Sequence, residues 1–171
     1  MNNHLIYKFF FGLSIILIAG SCAVKYSFTG ASISPESKTV SVKYFNNISA
    51  IIYPSLSQTL TEALKDRFVS QTSLVVVQGN GDLNFEGQIT NYTITPVAIQ
   101  GNQYALQNRL TITVQVKFTN KNNPELNYTK SFSEYEDFSS TQTLVQVESD
   151  LTKLIVDKLV DGIFNQAVAN W

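Results

Sequence analysis

The sequence predicts an α+β fold: a mostly antiparallel sheet of four to five strands, with two amphipathic helices packed on one face, in the order β-α-β-β-β-β-α. Three observations carry this. Residues 110–119 alternate apolar and polar at all ten positions, the pattern of a half-buried strand. Two stretches, about 55–70 and 143–168, repeat apolar residues at steps of three and four, as amphipathic helices do. The links between the later strands are hairpin-length and rich in turn residues, which favours antiparallel neighbours with helices over one face.

Residues 1–21 read as a secretory signal peptide. Met1–Lys8 carries one positive charge, Phe9–Ala19 is a near-continuous apolar run, and the small residues Gly20 and Ser21 follow. The run is about half the ~20 residues that a membrane span needs. Cys22 comes next. Ala19-Gly20-Ser21-Cys22 resembles a bacterial lipoprotein box, although the usual Leu three places before the Cys is here Ala19, with Ile18 one place earlier. The resemblance implies cleavage before Cys22 and acylation of its thiol and new amine, and two acyl chains suffice for stable anchoring. Residues 22–38, rich in Ser and with Pro35 near the end, then form an extended tether. Residues 39–171 form a single domain, with no internal repeat.

Within that domain Val40, Val42 and Tyr44 alternate with Ser41 and Lys43, which predicts the first strand. A loop with Asn46-Asn47 and Pro54 follows. In the first helix Leu56, Leu60, Ala63, Leu64 and Phe68 face inward while Thr61, Glu62, Lys65 and Asp66 face out, and Ser55 or Ser57 supplies the cap. Leu74–Val77 is continuously apolar and predicts a short buried strand. Asn80-Gly81 predicts a turn with positive φ. Leu83, Phe85, Gly87 and Ile89 form the inner face of a longer strand. Its phase flips at Thr90-Asn91, since Tyr92 and Ile94 are next, which requires a bulge. Residues 95–108, with Pro96 and Gly101, predict a loop.

The clearest strand then points Leu110, Ile112, Val114, Val116 and Phe118 inward. Asn120–Glu125 is a turn and Tyr128–Phe138 a further strand. The last helix carries Leu144, Val147, Leu151, Leu154, Ile155, Leu159, Ile163 and Phe164 as its stripe. Val114 and Leu154, central on their apolar faces, are expected in one shared core.

The composition excludes several functions. The chain has one His, His4, and one Cys, Cys22, both within the first 22 positions. A mature chain without His4 lacks His-based triads, His metal sites and a His base, and its single thiol would be consumed by lipid. No metal or cofactor is expected. Gly79-Asn80-Gly81 lacks the Lys-Ser/Thr of a phosphate loop. Net charge is −1, and −2 once Lys8 is removed, without the basic face that nucleic-acid binding needs. Paired carboxylates are possible in principle, and Glu134, Glu136 and Asp137 are the densest acidic run, but they read better as the exposed end of a strand. The protein is not expected to be an enzyme.

Five segments together resemble the LptE family of lipopolysaccharide-assembly lipoproteins: CAVKYSFTGASI at Cys22, LSQTLTEALKDRF on the first helix, GDLNFEGQITNY and NRLTITVQVKFTN on the central strands, and IFNQAVANW at the end of the last helix. They span nearly the whole mature chain in order. The resemblance implies an outer-membrane, lipid-anchored, periplasm-facing protein that plugs the β-barrel of an LptD partner and helps deliver lipopolysaccharide to the outer leaflet. A plug must offer many donors and acceptors to a polar lumen. Thr111, Thr113, Gln115 and Lys117 on the outer face of the clearest strand are the partner-facing candidates.

The family's lipopolysaccharide binding would fall to basic side chains. The loop around Gln100-Gly101-Asn102 has none, which leaves Arg109, Lys117, Lys121 and Lys130. The alternative is a peripheral lipoprotein that carries a lipid or other ligand for a different envelope transporter, for which an apolar cavity between sheet and helices is expected.

Overall fold

The structure, a computed structural model, describes residues 33–97 and 107–168. The expected signal segment, Cys22, most of the tether, the Gln100–Asn102 loop and residues 169–171 lie outside the described residues. The elements are β1 (Thr39–Val42), β2 (Asn46–Asn47), α1 (Leu56–Gln71), β3 (Val75–Val76), β4 (Leu83–Val97), β5 (Gln107–Asn120), β6 (Tyr128–Ser139) and α2 (Leu144–Val168), with one 3-10 turn at Pro124–Leu126. Thr95–Val97 and Gln107–Asn108, expected in a loop, extend β4 and β5 instead.

One mixed sheet runs β3-β1-β4-β5-β6, and β2 pairs with β4 beyond the end of β1. The expected antiparallel pairing holds for β4, β5 and β6. β3, β1, β2 and β4 run parallel, so the sheet has six strands with one parallel half. The reason is α1: a helix between two neighbouring strands returns the chain to its starting end, which makes β1 and β3 parallel. The bulge falls between Ile89 and Asn91, where the change of phase placed it.

Both helices cover one face. Leu56, Leu60, Leu64 and Phe68 of α1 are fully buried, as are Val114 and its neighbours along β5. The Phe68 ring lies 4.9 Å from Phe85 and 5.1 Å from Phe164, so it joins α1, β4 and α2. Phe85, Phe118 and Tyr128 continue this aromatic row across the sheet at centroid distances of 4.9 and 5.2 Å. An Arg67–Asp161 ion pair bridges the helices.

Four expectations about individual residues are corrected. Leu154 is 51% exposed and lies outside the core. The buried stripe is Leu151, Thr152, Ile155, Val156, Leu159, Val160, Ile163, Phe164 and Val168. At about 100° per residue Leu154 points roughly 150° away from the middle of the Ile155–Val156 pair. Thr61 faces inward: its hydroxyl donates to the Ser57 carbonyl at 2.7 Å and accepts the Phe45 N–H at 3.1 Å, which makes burial tolerable. Val75 is 63% exposed because β3 is an edge strand with one covered face. Tyr44 lies beyond the end of β1 and is 56% exposed.

Two local expectations are also revised. Ser55 occupies the N-cap of α1 without a side-chain capping bond, and Ser57 is buried within the helix. Gly81 is not at positive φ. It suits the place where the loop from β3 to β4 crosses β1, since a Cβ there would lie 3.1 Å from the Ser41 nitrogen and the Leu83 carbonyl, closer than ordinary contact. Asp82 secures the crossing by accepting from the N–H groups of Lys38 and Thr39 and from the Thr39 hydroxyl, at 2.9–3.0 Å. These bonds, the Lys38 N–H first, hold its carboxyl below the usual value.

Candidate functional site

The sheet face opposite the helices is the candidate site, and strand register builds it. Period-two alternation sends Leu110, Ile112, Val114, Val116 and Phe118 under the helices, so Arg109, Thr111, Thr113, Gln115, Lys117 and Thr119 point the other way. β4 aligns Asn84, Glu86, Gln88, Asn91, Thr93 and Thr95 with them, and the bulge keeps that polar row on one face. β6 adds Thr129, Ser131, Ser133, Tyr135 and Asp137.

The central rows are Gln88–Gln115–Ser131, Asn91–Thr113–Ser133 and Thr93–Thr111–Tyr135, and none of these nine side chains is charged. They also bond to one another: Thr113 and Ser133 hydroxyls are 2.9 Å apart, and the Asn91 amide donates to the Thr93 hydroxyl at 3.1 Å.

Charges stand at the two ends of this face. At one end Asp137 takes both Arg109 donors, at 2.7 and 2.9 Å, and the guanidinium also lies 3.7 Å from the centre of the Tyr135 ring. The Arg109 bond holds the Asp137 carboxyl low, and Asp137 in turn raises Arg109. At the other end Lys43 donates to Glu86 at 2.9 Å, a bond that lowers the Glu86 carboxyl, and Lys117 sits opposite Glu86 on β5. A shallow depression of about 410 Å³ opens there between Lys43, Tyr44, Gln88, Gln115 and Lys117.

The four cations singled out in the sequence are not brought together. Arg109 and Lys117 share the open face but stand eight residues apart on one strand, roughly 27 Å. Lys121 lies in the turn after β5, where its N–H donates to the Asp82 carbonyl. Lys130 is on the helix side, donating to Gln166 at 2.6 Å. The acidic run separates too. Asp137 is on the open face, while Glu136 is on the helix side, paired with Lys158 at 2.7 Å.

Apart from Asp137, read as part of the acidic run, the β4 and β6 members of the face were not singled out in the sequence. The alternating polar residues of β4 were a visible signal, but aligning them with β5 requires the register. β6 mixes aromatic and charged residues on both faces, which hides its phase.

The geometry defines a small α+β module, closed by helices on one side and presenting a broad polar sheet on the other. The chain belongs to the LptE family, described as lipopolysaccharide-assembly, which matches residues 37–167. It is a lipopolysaccharide-assembly lipoprotein of the cell envelope. The solved minor lipoprotein of Acinetobacter baumannii is 17% identical with a TM-score of 0.53, over 78% of this chain and 94% of that one. A Helicobacter pylori protein, described as a homolog of a neuraminyllactose-binding hemagglutinin, is 12% identical with a TM-score of 0.50, over 82% and 88%. At these identities the likeness is one of fold. No curated protein matches the sequence.

Proposed function

We propose that the chain is the lipid-anchored plug of an LptD-like outer-membrane barrel, held at Cys22 and applied to the lumen wall through its open sheet face. It acts by binding and without catalysis. The observation that carries this reading is the neutral centre of that face: nine hydroxyl and amide side chains in three aligned rows, with charges only at the ends. A lumen wall lined with polar groups can exchange hydrogen bonds with such a lattice, whereas an unpaired charge would be costly to desolvate against it. Among the described residues the side chains between sheet and helices, such as Val114, Ile155 and Leu159, are fully buried, which speaks against the ligand-carrier alternative. Lipopolysaccharide contact, on this reading, falls to Lys117 before Arg109, whose charge Asp137 already neutralises.

The test is Thr113→Glu, in the middle row. Exposed substitutions change stability by less than about 0.5 kcal/mol, so the melting temperature should barely move. Co-purification of the barrel from detergent-solubilised outer membranes should fall sharply. Unchanged recovery of the barrel would reject the face as the contact.

A further inference from the structure

We propose that the loop between β2 and α1 is a second, peripheral membrane contact that rests on the lipid surface to which Cys22 is tied. Nine large apolar side chains are conspicuously exposed among the described residues, and three of them, Ile48, Ile51 and Ile52, fall within five positions of this loop, at 49–64% exposure. Of the other six, Tyr44 lines the depression on the open sheet face, and the rest are spread over α1, β3, β6 and α2. Clustered exposure of this kind marks an interaction surface, whereas scattered exposure does not.

The loop is held in place. Phe45 is fully buried, and its N–H is bound by Thr61. The Ile48 N–H donates to the Ile89 carbonyl at 2.9 Å, continuing the β2 pairing. The Ser49 N–H donates to Asn47 Oδ1 at 3.0 Å, and its hydroxyl lies 2.5 Å from the Ile51 carbonyl. Tyr53 stacks on Tyr92 with ring centres 6.4 Å apart. The isoleucines are therefore presented by a backbone that is already ordered, so little ordering entropy remains to be lost on contact.

Three arguments select a lipid surface as the occupant. Asn46–Tyr53 carries no charge and ends on Tyr53, a composition that suits the boundary between headgroups and acyl chains. The anchor is within reach. Ten residues lie between Cys22 and Ile33, so the span is eleven steps, at most ~38 Å. Ile33 lies by Leu83 at the start of β4, and the loop joins β4 at Ile89, roughly 20 Å further along. A second copy is a poor fit, because three half-exposed side chains offer roughly 300 Å² per copy, below the ~1,200 Å² total of a stable interface even when doubled. A polar lumen does not match an isoleucine cluster either, so the plug reading leaves this loop unassigned. Among the described residues no helix is long and apolar enough to cross a membrane, so the contact is peripheral.

The proposal rests on the lipid linkage at Cys22, and the experiment separates the two. The full lipoprotein is purified from membranes as Ile52→Trp with Trp171→Phe and reconstituted into phosphatidylethanolamine–phosphatidylglycerol vesicles with brominated or plain acyl chains. Val69→Trp, exposed on α1, is the control, and Ile48→Trp is a second reporter on the loop. Tryptophan at 52 or 48 should be quenched at least about twofold by brominated lipid, at the ~5–10 Å depth of interfacial side chains, and tryptophan at 69 should be unaffected. Equal emission from 52 and 48 in both vesicles, in protein that floats with them, overturns the membrane contact. An intact mass of the membrane-purified protein that shows no acyl chain on Cys22 overturns the anchor instead.

Discussion

Replacing Ile155 and Leu154 by Ala, one at a time, measures which face of α2 meets the sheet. Ile155 is fully buried and Leu154 is half exposed, although they are adjacent in the chain. Ile→Ala removes three carbons, worth roughly 2.4 kcal/mol at about 0.8 kcal/mol per buried carbon. A residual cavity of some 30–60 Å³ would add about 0.7–1.4 kcal/mol at ~24 cal/mol per Å³. Ile155→Ala should therefore cost about 3–4 kcal/mol. For Leu154→Ala about half the transfer cost applies and no enclosed cavity forms, and Ala is the better helix former, which leaves less than about 1 kcal/mol. Urea unfolding followed by circular dichroism reads both losses. At about 2–4 °C per kcal/mol for a chain of this size, the melting temperatures should fall by roughly 6–16 °C and under 4 °C respectively. Equal losses, or a larger loss at Leu154, would refute the assigned helix face and with it the claim that the opposite sheet face is the free one.

Three further outcomes are expected. Gly87→Ala would drive a Cβ into the Gln115 carbonyl and to 2.6 Å from the Phe45 ring, so thermal melting should show a loss of about 1–3 kcal/mol or more, from backbone that cannot yield. Thr61→Val keeps the shape of the side chain but strands the buried Phe45 N–H, and unfolding should show a loss of about 1–3 kcal/mol. The Asp82 carboxyl is held below its ordinary 3.8, so the stability it contributes is present above that pH and is lost as pH falls through its lower folded value. Melting temperature measured from pH 7 to pH 2.5 should drop below about pH 4, and Asp82→Asn should start lower and show a shallower drop.

Periodicity alone located both helices, the β5 strand and the β4 bulge, because each is written in local spacing: 3.6 residues per turn, two per pleat, and a flip of phase where a bulge must sit. It also showed that Thr111, Thr113, Gln115 and Lys117 share one side of a strand. Three things awaited the tertiary structure. The parallel half of the sheet is a matter of which strands α1 brings side by side, and no residue in β1 or β3 declares its neighbour. Leu154 is apolar and sits at helical spacing from Leu151, but the stripe is defined by what packs on it, and the sheet took the side centred on Ile155 and Val156. The open face itself is a property of register. Gln88, Gln115 and Ser131 are far apart in the chain and become one row only when three strands align, so its neutral centre and its paired ends were invisible until Arg109 met Asp137 and Lys43 met Glu86. Local spacing determines which way a side chain points relative to its own element. Long-range pairing decides what it stands beside, and charge complementarity depends on the neighbours.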